Sequence, residues 1–170
     1  GEVNIQSSKL LFNASSKTPI AEAYKTLRTN LKFSSLDKDL KVLLVTSAAA
    51  AEGKSTTASN LAITMAQTGK KVLLVDCDLR KPSVNKAFNL PNGEGLTNVL
   101  ADALDYHEVC KYISGPDLEI LTCGPKPPDP SELLGSKRME EFIQKSSAEC
   151  DMVILDAPPV LPVIDSVVLS

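Results

Sequence analysis

The run Ala48-Ala49-Ala50-Ala51-Glu52-Gly53-Lys54-Ser55 joins a stretch of small residues to a lysine and a hydroxyl, a combination suited to holding phosphates. The apolar run Val42-Leu43-Leu44-Val45 precedes it, and Thr56 to Thr68 has helical composition ending at Gly69. The order is therefore strand, loop, helix. The chemistry needs that order, because successive loop N–H groups and the positive end of the following helix then point at phosphate oxygens. Ala50, Ala51, Glu52, Gly53, Lys54, Ser55 and Thr56 are expected to bind the nucleotide, with Lys54 reaching the β- and γ-phosphates and the Ser55 hydroxyl seated on Mg²⁺. One position departs from the G-x-x-x-x-G-K-[ST] pattern: Ala48 stands where the first glycine is usual. Alanine adds only a methyl group, so the loop survives if Ala48 keeps a negative φ. The bland alternative is a chance Gly-Lys-Ser turn, and the strand and helix on either side weigh against it.

A phosphate loop that turns over a nucleotide also needs carboxylates to hold the cation. Two further apolar runs supply them. Lys71-Val72-Leu73-Leu74-Val75 leads into Asp76-Cys77-Asp78-Leu79-Arg80, and Met152-Val153-Ile154-Leu155 leads into Asp156-Ala157-Pro158-Pro159. Continuous apolar runs suit strands buried on both faces of a parallel sheet, whose ligands bind beyond the carboxyl ends of the strands. Ser55, Asp76, Asp78 and Asp156 are thus expected to converge on one hard, oxygen-seeking cation. Taken singly, each aspartate reads as an ordinary turn residue. As a set that accompanies the loop, they read as a metal site.

At 170 residues with 43% hydrophobic content, the chain has the size and apolar share of one domain with a sizeable core. A net charge of −3 gives no reason to expect nucleic acid as a partner. No apolar run is long enough to span a bilayer, and the start of the chain lacks a signal-peptide core. Any membrane association is therefore expected through a partner or through further sequence. Cys77, Cys110, Cys123 and Cys150 have no metal-ligand spacing and read as reduced thiols, and His107, the sole histidine, reads as a surface residue.

Residues 1–17 are polar and weakly patterned, which suggests an arm; residues 18–170 form the domain. Thr18-Pro19 resembles an N-cap followed by a first-turn proline. In the helix that follows, Ile20, Tyr24, Leu27 and Leu31 share a stripe expected to face the core, while Glu22, Lys25 and Arg28 form a charged ridge off it. Leu96–Leu100 resumes a short helical pattern. Leu118–Thr122 reads as a strand, Pro125–Pro130 as an extended connection, and Ser131 or Ser136 onward as helix to about Ser146. Alternating strands and helices predict an α/β fold with a mostly parallel sheet and helices on both faces, of the phosphate-loop NTPase kind. Such domains usually continue past this point with more strands, so the chain is expected to be truncated at its C-terminus.

These residues resemble the bacterial tyrosine kinases of the phosphate-loop type, which regulate capsular and exopolysaccharide synthesis. The resemblance runs from Ile20 to about Ser166. It is carried by Glu52-Gly53-Lys54-Ser55-Thr56, by the second acidic motif Val72 to Arg80, and by Val153-Ile154-Leu155-Asp156-Ala157-Pro158. Arg80-Lys81-Pro82 and Gly124-Pro125 through Pro128-Asp129-Pro130-Ser131-Glu132-Leu133-Leu134 add to it. The resemblance implies ATP and Mg²⁺ as cofactors and Lys54, Asp76 and Asp78 as catalytic residues, Asp78 accepting the tyrosine proton. Ser55, Asp76 and Asp156 would attend the metal. It further implies autophosphorylation in trans on a C-terminal tyrosine cluster, a membrane-spanning activator at the inner face of the cell membrane, and a ring of subunits. Glu22-Ala23-Tyr24-Lys25-Thr26-Leu27-Arg28 is similar to the family's E-x-x-R-x-x-R oligomerisation motif, with lysine in place of its first arginine. Only Tyr24, Tyr106 and Tyr112 are present, widely scattered, so no tyrosine cluster lies within these residues. Two rivals remain: a partitioning or division-positioning ATPase, which usually has a lysine where Ala49 stands, and an ATP-binding adaptor without transferase activity.

Overall fold

In the computed structural model, the described residues are 2–3, 19–34, 41–46, 54–158 and 167–169. The phosphate loop, with Ala48, Ala50, Ala51, Glu52 and Gly53, lies outside them, as do Thr18, Pro159 and the side chain of Lys54. Most of the expected arm lies outside them as well.

Three apolar runs form the interior of the sheet: β2 (Val42–Val45), β3 (Val72–Asp76) and β6 (Met152–Asp156). Every residue in them is buried, as expected of strands covered on both sides. With β1 (Glu2–Val3), β4 (Lys111–Ile113), β5 (Leu118–Leu121) and β7 (Val167–Leu169), they make one sheet in the order β1-β4-β5-β3-β6-β2-β7. All pairings are parallel except β4 with β5. Glu2 and Val3, within the stretch expected as an arm, pair with Tyr112 and Ile113 at the sheet edge.

Side chains alternate between the two faces of the sheet. Leu43, Val45, Val72, Leu74, Ile120 and Ile154 pack beneath α1 (Pro19–Ser34), α2 (Lys54–Ala66) and the short α3 (Val84–Ala87). Val42, Leu44, Leu73, Val75, Leu121, Val153 and Leu155 face the other layer, α4 (Leu96–Ala101), α5 (Tyr106–Val109), α6 (Pro130–Leu134) and α7 (Lys137–Glu149). The helix starts in that layer follow local chemistry. Asp129 caps α6 by accepting the Glu132 N–H at 3.1 Å, and Ser136 caps α7 by accepting the Met139 N–H at 3.3 Å. Beyond β5, the backbones at Gly95 and Gly124 nearly touch: a Cβ on Gly95 would lie 2.1 Å from the Thr122 carbonyl oxygen, and Gly124 has φ +84°. Only glycine meets both demands.

Helix α1 corrects two expectations. Leu31 is buried, and Tyr24 and Leu27 pack against the core, but Ile20 is 61% exposed. Ile20 shares their angular position yet lies in the first turn, where the described residues leave it uncovered. The charged ridge is also not uniform. Glu22 and Lys25 pair on the surface at 3.4 Å, whereas the Arg28 guanidinium donates to the Thr64 carbonyl of α2 at 3.0 Å. Among the described residues, no helix is long and apolar enough to cross a membrane.

Candidate functional site

Strands β3 and β6 lie side by side in parallel register, so Asp76 and Asp156 are direct partners at their carboxyl ends. Both are fully buried. The ladder continues one residue further, with the Cys77 N–H donating to the Asp156 carbonyl at 2.8 Å and the Ala157 N–H to that of Val45 at 3.0 Å. On the other side of β6 is β2, where Val45 is the register partner of Asp156. The chain leaving β2 enters α2 above Asp156, and the Ser55 hydroxyl donates to Asp156 Oδ2 at 2.5 Å. Strand register thus brings Asp76 and Asp156 together, and the first turn of α2 adds Ser55, the three residues expected to attend a metal.

Asp76 also organises the loop that follows it. Its Oδ1 accepts the Asp78 N–H at 3.0 Å, and its Oδ2 accepts the N–H groups of Ser83 and Val84 at 3.1 Å each. Burial and then the neighbouring charge of Asp156 push the Asp76 carboxyl up to about 7, against the lowering effect of those three backbone donors. Two carboxylates buried side by side favour protonation or a bound cation. Asp78 is half-buried, and its Oδ1 accepts the Lys81 N–H at 3.2 Å. Thr56 is half-buried in the first turn of α2, and Arg80 is exposed at the surface.

Among the described residues, no group of three or more His, Cys, Asp or Glu is gathered closely enough to hold a metal alone. The oxygen donors present are two carboxylates and a serine hydroxyl. That partial shell suits Mg²⁺, which keeps waters and takes phosphate oxygens for the remainder. The four cysteines are buried and free, so none is a disulfide partner, and Cys77 between Asp76 and Asp78 is fully buried.

Sequence reasoning missed two features. Ser83, which belongs to no motif, places its hydroxyl against that of Ser55. His107, read as a surface residue, sits between two glutamates, with Nε2 2.5 Å from Glu149 and Nδ1 4.0 Å from the buried Glu119.

The family model described as an AAA domain matches residues 40–170. The chain is 50% identical over 150 residues to the tyrosine-protein kinase YwqD of Bacillus subtilis (strain 168), an alignment covering 88% of this chain and 63% of YwqD. It is 37% identical over 163 residues to the putative tyrosine-protein kinase CapB of Staphylococcus aureus, covering 96% of this chain and 72% of CapB. Its fold superposes on the kinase domain of the Escherichia coli tyrosine kinase ETK with a TM-score of 0.82 at 32% identity, over 91% of this chain and 62% of that one.

Proposed function

The chain belongs to the bacterial tyrosine-kinase family of AAA-domain proteins, and from that premise we propose that it is the ATP-binding, phosphoryl-transferring unit of a protein-tyrosine kinase that serves capsular and exopolysaccharide synthesis. The observation that carries the proposal is the buried trio of Ser55, Asp76 and Asp156, set at the carboxyl ends of adjacent strands beside the start of α2. It supports a cation site where a phosphate loop would deliver its nucleotide.

Phosphoryl transfer asks a protein mainly for positioning and charge stabilisation. The loop N–H groups and Lys54 would hold the β- and γ-phosphates, and Ser55, Asp156 and Asp76 would hold Mg²⁺. When bound, that ion offsets charge on the transferring phosphate. Asp76 fixes the loop carrying Asp78 through the Asp78 N–H. Asp78, half-buried at the rim, accepts the proton that a tyrosine hydroxyl must lose, since its ordinary pKa is about 10. Substrate tyrosines come from partner proteins and from a C-terminal cluster on the full-length kinase. A membrane-spanning activator brings the unit to the inner face of the cell membrane, and copies associate through the exposed Glu22–Lys25 part of α1.

The test is transfer of label from γ-labelled ATP to a tyrosine-rich peptide, with and without an activator segment. The expected result is Mg²⁺-dependent phosphotyrosine that Lys54→Met abolishes. ATP turnover without phosphotyrosine in any arm would favour a switch ATPase; bound but unreacted ATP would favour an adaptor.

A further inference from the structure

Ser83 begins α3 at the N-cap position, yet its side chain makes no capping hydrogen bond to that helix. Serine is among the strongest N-cap residues because its oxygen accepts an N–H from the first turn, an interaction of about 1 kcal/mol. Here the Ser83 hydroxyl is turned away, against the hydroxyl of Ser55. Asp76 serves the start of α3 instead, its Oδ2 accepting the Ser83 and Val84 N–H groups. A local preference given up at the edge of a site points to a use elsewhere.

Proton counting defines that use. A serine hydroxyl has one proton to donate and lone pairs to accept with. The Ser55 proton is committed to Asp156 Oδ2 at 2.5 Å. In the contact between the two serines, Ser83 is therefore the donor and Ser55 the acceptor. The result is a directed chain from Ser83 to Ser55 to Asp156. Through its N–H, Ser83 also holds Asp76. One half-buried residue thus touches Asp76 directly and Asp156 through Ser55, linking both strand-end carboxylates.

We infer that Ser83 is a second hydroxyl of the cation and phosphate site, a positioning residue that fixes the Ser55 rotor with its proton on Asp156 and leaves its one remaining lone pair for a cation. This rests on the nucleotide reading given above. A ligand hydroxyl whose rotor is set in advance binds without first having to be ordered, and loss of such outer partners typically weakens metal affinity by about 10–100-fold. A purely structural serine would act through α3 and through stability.

The experiment follows binding of a fluorescent ADP analogue to the whole chain as Mg²⁺ is titrated, beside thermal unfolding of the free protein. For Ser83→Ala, the Mg²⁺ concentration at half-saturation is expected to rise by on the order of tenfold. Binding in EDTA should stay at the wild-type value, and the melting temperature should fall by no more than the loss of one half-buried hydroxyl contact explains, because Ser83 contributes no side-chain cap and Asp76 still takes the backbone N–H at that position. Ser83→Thr, which keeps the donor, should restore the wild-type midpoint. If Ser83→Ala fails to fold, Ser83→Cys, of similar size but a weak donor, has the same expected shift. An unchanged Mg²⁺ midpoint in a folded Ser83→Ala or Ser83→Cys protein, with wild-type binding intact, would overturn the inference alone. So would a Thr variant as impaired as the Ala variant. Wild-type protein that binds no nucleotide at any Mg²⁺ concentration would overturn the nucleotide reading and the inference with it.

Discussion

Buried carboxylates lie at both ends of this sheet, and they are treated in opposite ways. At the amino end, Glu119 of β5 is 1% exposed and faces Lys71 at 3.7 Å and His107 at 4.0 Å. Glu149 nearby accepts the Tyr106 hydroxyl at 2.5 Å and lies 2.5 Å from the His107 ring, and Lys145 pairs with Asp105 at 2.9 Å. The Tyr106 hydroxyl, and after it His107, hold the Glu149 carboxyl below its ordinary range, and Lys145 does the same for Asp105. At the carboxyl end, Asp76 has another buried carboxylate, Asp156, as its register partner, and its own carboxyl is raised to about 7. The amino end sets its acids against basic side chains and a tyrosine hydroxyl of the fold and braces α5 against α7. The carboxyl end keeps two acids together, an arrangement that costs stability until a cation arrives.

The largest effect that separates the two ends concerns activity. Asp76→Ala or Asp156→Ala should each lower phosphate transfer by about a hundredfold or more, matching the several kcal/mol that a metal contributes. The double variant should lose little beyond either single one, because the pair acts as a unit. Tyr106→Phe, at the other end, should leave transfer unchanged. Strictly additive losses at Asp76 and Asp156 would break the comparison.

Stability should show the converse. Tyr106→Phe removes a hydrogen bond to a carboxylate and should lower unfolding free energy by about 1–2 kcal/mol in urea titrations. Lys71→Met leaves the buried Glu119 without its nearest cation; because Lys71 is partly exposed, solvent limits the expected loss to about 1–3 kcal/mol.

Acid and base should also act on the two ends with opposite sign. The raised Asp76 carboxyl means that the folded state holds a proton that the unfolded state has released between about pH 4 and pH 7. That end therefore loses stability as pH rises through this window. The lowered Glu149 and Asp105 carboxyls stabilise the fold above their unfolded pKa values and lose that contribution as pH falls toward the folded ones. Asp156→Asn should relieve the Asp76 end, so its stability relative to wild type should climb from pH 5 to pH 8 in denaturant titrations. A flat difference would mean that Asp156 is not what perturbs Asp76. The smallest effect belongs to α1. Arg28→Ala should cost about 1 kcal/mol through its bond to the Thr64 carbonyl, and Lys25→Ala close to nothing.

The carboxyl end was legible in the sequence because its signals are local. Val72–Val75 and Met152–Leu155 announce buried strands, and an aspartate that closes such a strand must lie at the ligand end of a parallel sheet. Helix α2 followed from the composition between the loop and Gly69. The amino end was not legible. Strand β4 is three residues long with only Ile113 buried, α5 is a single turn, and Glu119, His107 and Glu149 meet only through strand order and the return of α7. Ser83 escaped for the same reason: a serine after a proline reads as a turn or cap, and its partner Ser55 is 28 residues away. Ile20 misled because periodicity gives a residue's direction and does not say whether anything covers it.

The claim that the carboxyl-end acids are kept for a cation is tested most directly by thermal unfolding at pH 8 of wild type and Asp156→Asn, each alone and with Mg²⁺ and ADP. A ligand at a hundred times its Kd stabilises a fold by about 2.7 kcal/mol. Free Asp156→Asn should melt above free wild type, and Mg²⁺ with ADP should raise wild type by several degrees while moving the variant little. Equal shifts in both proteins, or a free variant no more stable than wild type, would contradict it.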